Sequence, residues 1–300
     1  MKKLFVCEYI GRDIYKLLEK YFEIVSDWNR LCEADGLIRR NFDVDREMIY
    51  RAEKLKAIGV FGTGINGIDL QAAKERGVDV FAAPGQNAYT VAELIISFML
   101  DLSKRVSTCD RYIRQGRIKE NAPFELMGCD LRGKTLGLIG TGNIAGHIAK
   151  IAKSGFDMRV IGYSEHFTPE KAENIGVEYA DKIDYIMAES DFVSISVPLT
   201  DKTIGLVGKR EMELMKPEAF IINTARGQVI DEDALYYMLK ERRIAGAACD
   251  VFCIEPPDGD NRLFTLDNFV GTPHIGDNTE EAVHRVGRVI AEGMIERLCG

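Results

Sequence analysis

The stretch LGLIGTGNIAG, Leu136 to Gly146, runs from a short apolar segment through a glycine turn straight into helix-forming text. A parallel α/β sheet is the architecture that joins a buried strand to a helix by so tight a turn. Gly140, Gly142 and Ala145 follow the G-x-G-x-x-A spacing. The first glycine permits the turn, the second lets a ligand's pyrophosphate approach the backbone, and the alanine keeps helix and strand close. Unpaired N–H groups at the start of that helix then face the phosphates. The stretch therefore reads as a dinucleotide site.

Further segments continue the same pattern: MRVIGY, FVSISVP, AFIIN, IAGAACDVF and NFVGTP alternate with helical text such as REMELMK and DEDALYYMLKERR. Strands apolar along their whole length, separated by helices, imply a sheet covered on both faces. The N-terminal third has its own rhythm, with LFVCEY, ADGLIR, LKAIGVF and VDVFAA as strands and IYKLLEKYF, DREMIYRAEK and DLQAAKERG as helices. From Val91 to Ile113 a pattern without Gly or Pro predicts one long helix between the two series. The final TEEAVHRVGRVIAEGMIERL, helical after a Thr cap, is expected to return to the first domain. The expected fold is thus α/β, a Rossmann-type doubly wound parallel sheet domain plus a smaller flavodoxin-like α/β substrate domain. The substrate domain takes 1–98 and 279–300, and the dinucleotide-binding domain takes 99–278.

Bulk properties narrow the partners. With 46% hydrophobic residues in 300, two cores are affordable, and a net charge of −8 with scattered Lys and Arg argues against nucleic acid and acidic membrane as partners. No apolar run approaches a membrane span. Seven cysteines without CxxC or Cys/His ligand spacing predict reduced thiols, no metal and a cytoplasmic location.

Three later segments each set one ionisable side chain among small residues or prolines: Arg226 in NTARG, Glu255 in IEPPD and His274 in TPHIG. A guanidinium for an anionic substrate, a carboxylate, and an imidazole that gives or takes a proton are the parts that carbonyl reduction by hydride needs. Singly, each reads as an ordinary surface residue. At the ends of successive strands of one nucleotide-binding sheet they fall where open α/β folds hold ligands.

The motifs GKTLGLIGTGNIAG, VPLTDKTIGLVG, MKPEAFIINTARGQVIDEDAL, AGAACDVFCIEPP and TPHIGDNTEEA, in this order, resemble the D-isomer-specific 2-hydroxyacid dehydrogenases over nearly the whole chain. The resemblance implies catalytic roles for Arg226, Glu255 and His274, with Glu255 orienting the imidazole and raising its pKa. It implies cofactor contacts at Gly140, Gly142, Asn143, Ile144, Ser164, Val197, Thr224, Ala225, Arg226, Asp250, His274 and Gly276. Substrate contacts are implied at Arg226, at His274, and at Thr63 and Gly64, whose backbone amides would hold a carboxylate as an anion nest. The expected substrate is a small 2-oxo or 2-hydroxy acid, and the expected assembly is a homodimer built through the Val91–Ile113 helix.

Two departures bear on specificity. NAD-binding versions of the turn carry Asp or Glu about 20 residues on, at the end of the next strand. Here Ser164 stands there, followed by Glu165, so NAD is favoured and NADP stays open. Val60 occupies the position at which phosphoglycerate-oxidising members carry an arginine, which withdraws support for a phosphorylated substrate. Ser196, near the expected adenine or ribose-phosphate path, replaces a histidine of many members, which also bears on cofactor preference. Cys249 and Cys253, close to the expected cofactor path, read as small buried filler. A different class also fits the fold: nucleotide-sensing corepressors, which bind NAD and recruit peptides.

Overall fold

The computed structural model describes residues 1–300 and contains twelve strands, every ladder between them parallel. They are β1 (Lys2–Val6), β2 (Phe22–Val25), β3 (Gly36–Arg39), β4 (Ala57–Val60), β5 (Asp79–Ala82), β6 (Thr135–Ile139), β7 (Arg159–Tyr163), β8 (Glu178–Tyr179), β9 (Phe192–Ile195), β10 (Phe220–Asn223), β11 (Gly246–Cys249) and β12 (Phe269–Gly271). The helices are α1 (Arg12–Leu18), α2 (Arg46–Arg51), α3 (Leu70–Glu75), α4 (Ala88–Lys104), α5 (Val106–Arg114), α6 (Asn143–Phe156), α7 (Pro169–Ile175), α8 (Ile183–Glu189), α9 (Lys209–Met212), α10 (Glu232–Lys240) and α11 (Glu280–Cys299).

One compact unit comprises residues 1–90 and 277–300. Its five strands lie in the order β2-β1-β3-β4-β5, the flavodoxin-like order. Side chains alternate across the sheet, so Leu4 and Val6 pack with Ile38, Ile290 and Met294 on one face, and Phe5 with Leu37, Ile58 and Val60 on the other. Asp45, Asp69 and Thr279 cap α2, α3 and α11 by accepting from the amides of Met48, Ala72 and Ala282.

Residues 91–276 form the other unit. Its order, β12-β11-β10-β9-β6-β7-β8, reverses direction between β6 and β9, the switch point at which such sheets bind ligands. Ile139, Ile161, Val193 and Ile221 pack on one face, and Leu138, Val160, Phe192 and Ile222 on the other. The contact divisions fall after Thr90 and after Gly276, eight and two residues before the boundaries expected at 98/99 and 278/279.

The long helix expected from Val91 to Ile113 is two helices. Arg105 adopts a left-handed conformation (φ 56°), and the Asp101 carboxylate accepts from both the amide and the hydroxyl of Ser107, at 2.7 and 2.5 Å. A side-chain acceptor thus starts α5 where the backbone ladder of α4 stops. The apolar residues Ile95, Phe98, Met99 and Leu102 of α4 are buried in the chain's own core. Strand β2 lay unrecognised at the end of an amphipathic stretch, and the two-residue β8 is too short to leave a pattern.

One glycine sets how closely two functional loops approach. A Cβ on Gly227 would lie 1.9 Å from the carbonyl carbon of Phe252, a backbone atom that cannot swing away. Gly227→Ala should therefore cost about 1–3 kcal/mol of stability; urea unfolding with an unchanged midpoint would contradict this packing.

Candidate active site

The sequence-predicted residues of the second unit gather at the carboxyl edge of its sheet. Gly140 follows β6, Ser164 follows β7, Ser196 and Val197 follow β9, Thr224 to Arg226 follow β10, Asp250 follows β11, and Thr272 to His274 follow β12. Parallel strands bring these loops side by side although the chain separates them widely.

The turn after β6 is shaped for a close approach. Gly140 has φ 102°, and a Cβ there would lie 2.4 Å from the Ser196 carbonyl oxygen. In front of Gly142 a Cβ would meet nothing within 4 Å, and α6 begins there without a side-chain cap, so its first N–H groups remain for a phosphate. Asn143 is exposed, Ile144 half-buried and Ala145 buried against the strand. Two buried hydroxyls, Ser196 Oγ and Thr224 Oγ1, find no hydrogen-bond partner in the protein. Polar atoms buried at the mouth of a nucleotide site without protein partners are suited to a polar ligand. The turn, the uncapped helix and these hydroxyls together fit a dinucleotide. Sequence reading placed Thr224 here as a cofactor contact and set Ser196 near the adenine or ribose-phosphate path.

Arg226 stands at the start of a short turn whose shape is set by Asn223. That fully buried amide accepts from the Ala225 N–H and donates to the Arg226 carbonyl, both at 3.0 Å. The Arg226 guanidinium donates to the Ala225 carbonyl at 2.6 Å. Asn223 was missed in the sequence, although its place in NTARG was the available signal.

His274 and Glu255 meet directly. Nδ1 lies 2.8 Å from Glu255 Oε2, while Glu255 Oε1 accepts from the Phe252 amide at 3.0 Å. With Nδ1 committed to the carboxylate, Nε2 is the nitrogen left for proton exchange. The Glu255 hydrogen bond and charge raise the His274 pKa against the opposing effects of burial and of Arg226. For Glu255, burial pushes the carboxyl up, but the hydrogen bond and charge of His274 prevail and hold it below the usual carboxylate range.

His274 also has a left-handed backbone, φ 53°, which costs a residue with a Cβ of order 1–3 kcal/mol unless its surroundings enforce it. Asp250 enforces it. Its Oδ1 accepts from the Thr272 hydroxyl at 2.6 Å and the Ile275 amide at 2.7 Å, its Oδ2 from the Gly276 amide at 2.8 Å, and its carbonyl from the His274 amide at 2.8 Å. Burial raises the pKa of this carboxyl in spite of those bonds. Asp250 and Gly276, expected only as cofactor contacts, are thus also the clamp on the histidine turn.

The remaining expectations divide. Ser164 Oγ lies 2.7 Å from Thr141 Oγ1, and Glu165 is paired with Lys202 at 2.5 Å. Cys249 is buried, whereas Cys253 is exposed, so only the first is filler; the Cys253 thiol is pushed up to about 12, first by burial and then by Glu232. In the other unit, Thr63 is exposed in the loop after β4 and donates to Asn87 Oδ1 at 3.2 Å, and the Gly64 carbonyl accepts from Arg39 at 3.4 Å. Val60 and Phe61 are buried core residues.

Removing the Asp250 carboxylate leaves two amides and a hydroxyl without an acceptor, at about 1–3 kcal/mol for each group that stays buried. Asp250→Ala should speed hydrogen exchange at Ile275 and Gly276 by tenfold or more, on the order of 1.4 kcal/mol. Unchanged protection of these amides would remove the clamp from the account.

Residues 96–276 match the family model "D-isomer specific 2-hydroxyacid dehydrogenase, NAD binding domain". The chain is 40% identical over 309 residues to a D-3-phosphoglycerate dehydrogenase of Methanocaldococcus jannaschii, covering 100% of this chain but 58% of that protein. It therefore spans little more than half the length of that relative. It is 38% identical to a glyoxylate reductase of Thermococcus litoralis, covering 98% and 92% of the two chains. Among solved structures, the TT0316 protein of Thermus thermophilus superposes with a TM-score of 0.90 at 32% identity, covering 100% and 97%. A glycine turn on a doubly wound sheet, a carboxylate-bound histidine at its carboxyl edge and similarity along the whole chain lead to one assignment: this chain belongs to the D-isomer-specific 2-hydroxyacid dehydrogenase family.

Proposed function

We propose that the chain interconverts a small D-2-hydroxy acid and its 2-oxo acid, with a nicotinamide dinucleotide as redox partner. The observation that carries this reading is the 2.8 Å contact between His274 and Glu255 at the carboxyl edge of the dinucleotide sheet. When bound, the cofactor supplies hydride to the 2-oxo carbon or accepts it from the alcohol. His274 Nε2 gives a proton to the carbonyl oxygen in reduction and takes it from the hydroxyl in oxidation. Glu255 fixes the ring and favours imidazolium. Arg226 binds the substrate carboxylate through its planar donor fork, and the Thr63 and Gly64 amides are assigned as an anion nest of their own unit.

The substrate is taken to be unphosphorylated, of the size of glyoxylate or hydroxypyruvate. Supporting this, Val60 belongs to the core, and Arg39 and Arg40 donate to the carbonyls of Phe42, Gly64 and Tyr9. A homodimer is proposed from the apolar side chains of Val106, Ile113, Phe124 and Met127, each more than half exposed. A cytoplasmic location is proposed from seven free cysteines. No helix is long and apolar enough to cross a membrane.

Steady-state kinetics on pyruvate, glyoxylate, hydroxypyruvate and 3-phosphohydroxypyruvate should give turnover on at least one unphosphorylated acid. Tight dinucleotide binding with turnover on none would instead favour a sensor. His274→Ala should lower kcat about 10²–10⁴-fold while dinucleotide binding stays intact. Because the His274 pKa is raised, reduction should persist above the usual histidine range and fall as pH rises through that pKa, while oxidation rises over the same interval. Glu255→Gln should move the fall to lower pH, and a fall that stays in place would separate it from His274.

A further inference from the structure

The adenosine end of the cofactor site contains a charge arrangement that the dehydrogenase reading alone does not require. In doubly wound sheets the residue ending the second strand meets the ribose that distinguishes NAD from NADP, an acidic residue there favouring the free hydroxyl and a nearby cation the 2′-phosphate. Here that residue is Ser164, after β7, and its hydroxyl is tied to Thr141 in the glycine turn at 2.7 Å. A neutral donor at this point neither repels a phosphate nor claims a ribose as a carboxylate would.

The charges lie one step further out. Glu165 accepts from Lys202 Nζ at 2.5 Å, with side chains 57% and 74% exposed. The two come from the loops after β7 and β9, which flank β6 and its glycine turn on either side. Beside them, Lys171 Nζ donates to the His166 carbonyl at 2.9 Å, which brings a second ammonium to the β7 loop. So exposed an ion pair holds its partners weakly, and a ligand with stronger claims can take either one. A 2′-phosphate, with up to two negative charges, competes with Glu165 for Lys202. A free 2′-hydroxyl leaves the pair closed or draws on Glu165 as acceptor.

We infer that this end of the site accepts both dinucleotides, with Lys202 as the cation that leaves Glu165 for the 2′-phosphate of NADPH. The inference rests on the dehydrogenase reading of the site and adds Lys202 as a specificity-determining residue. Glu165 is then the counterweight, since it neutralises Lys202 when no phosphate competes for it.

The test is fluorescence titration of the purified protein with NADH and with NADPH, in the absence of substrate and at one fixed low ionic strength. Wild type should bind the two with dissociation constants within about tenfold of each other. Lys202→Ala should weaken NADPH by about tenfold and change NADH by less than about twofold. Glu165→Gln should tighten NADPH, and added salt should erode NADPH affinity faster in wild type than in Lys202→Ala. Normal NADH binding combined with NADPH affinity that Lys202→Ala leaves unchanged, or with wild-type discrimination beyond about 100-fold, would overturn the inference and leave the dehydrogenase reading standing. Failure to bind either dinucleotide would overturn both.

Discussion

The Asp250 carboxylate accepts three hydrogen bonds from the turn that follows β12, and its carbonyl accepts a fourth, from the His274 amide. A buried carboxylate is costly unless its lone pairs are occupied, and these bonds occupy them. In return the turn is held with His274 in a left-handed conformation that a residue with a Cβ adopts only under constraint. That conformation delivers Nδ1 to Glu255 and leaves Nε2 unencumbered. The catalytic proposal therefore depends on a carboxylate that need not exchange protons at all.

Opposing fields act on the imidazole. Glu255 favours its protonated form, while Arg226 and partial burial disfavour it, and the carboxylate prevails. Such a balance suits a group that must give a proton in one direction and recover it in the other. Glu255 alone would make the imidazole hold its proton more firmly, and Arg226 alone would loosen it. The three residues arise from loops after β10, β11 and β12, so the parallel sheet, through its register, sets the distances on which the balance depends.

Much of this was legible in the sequence because the relevant signals are local. The turn from Gly140 to Ala145 declares itself by spacing, and strands apolar along their length mark a sheet covered on both faces. Arg226, Glu255 and His274 stood out because glycines, prolines and small residues around them announce strand ends. What escaped reading depends on partners far apart in the chain. The break at Arg105 comes from an Asp101 side chain competing with the helix ladder, and nothing in the helical periodicity announces it. Asn223 as the brace of the Arg226 turn, Asp250 as the clamp on His274, and the pairing of Glu165 with Lys202 each require the folded register.

The central claim is that Glu255 holds His274 as an imidazolium beyond the ordinary histidine range. The direct measurement is the titration of the His274 ring by NMR in the protein without ligands, in wild type and in Glu255→Gln. The account predicts a pKa above the ordinary histidine value in wild type that falls when the carboxylate is neutralised. A His274 pKa at or below the ordinary value in wild type, or one indifferent to Glu255→Gln, would contradict it.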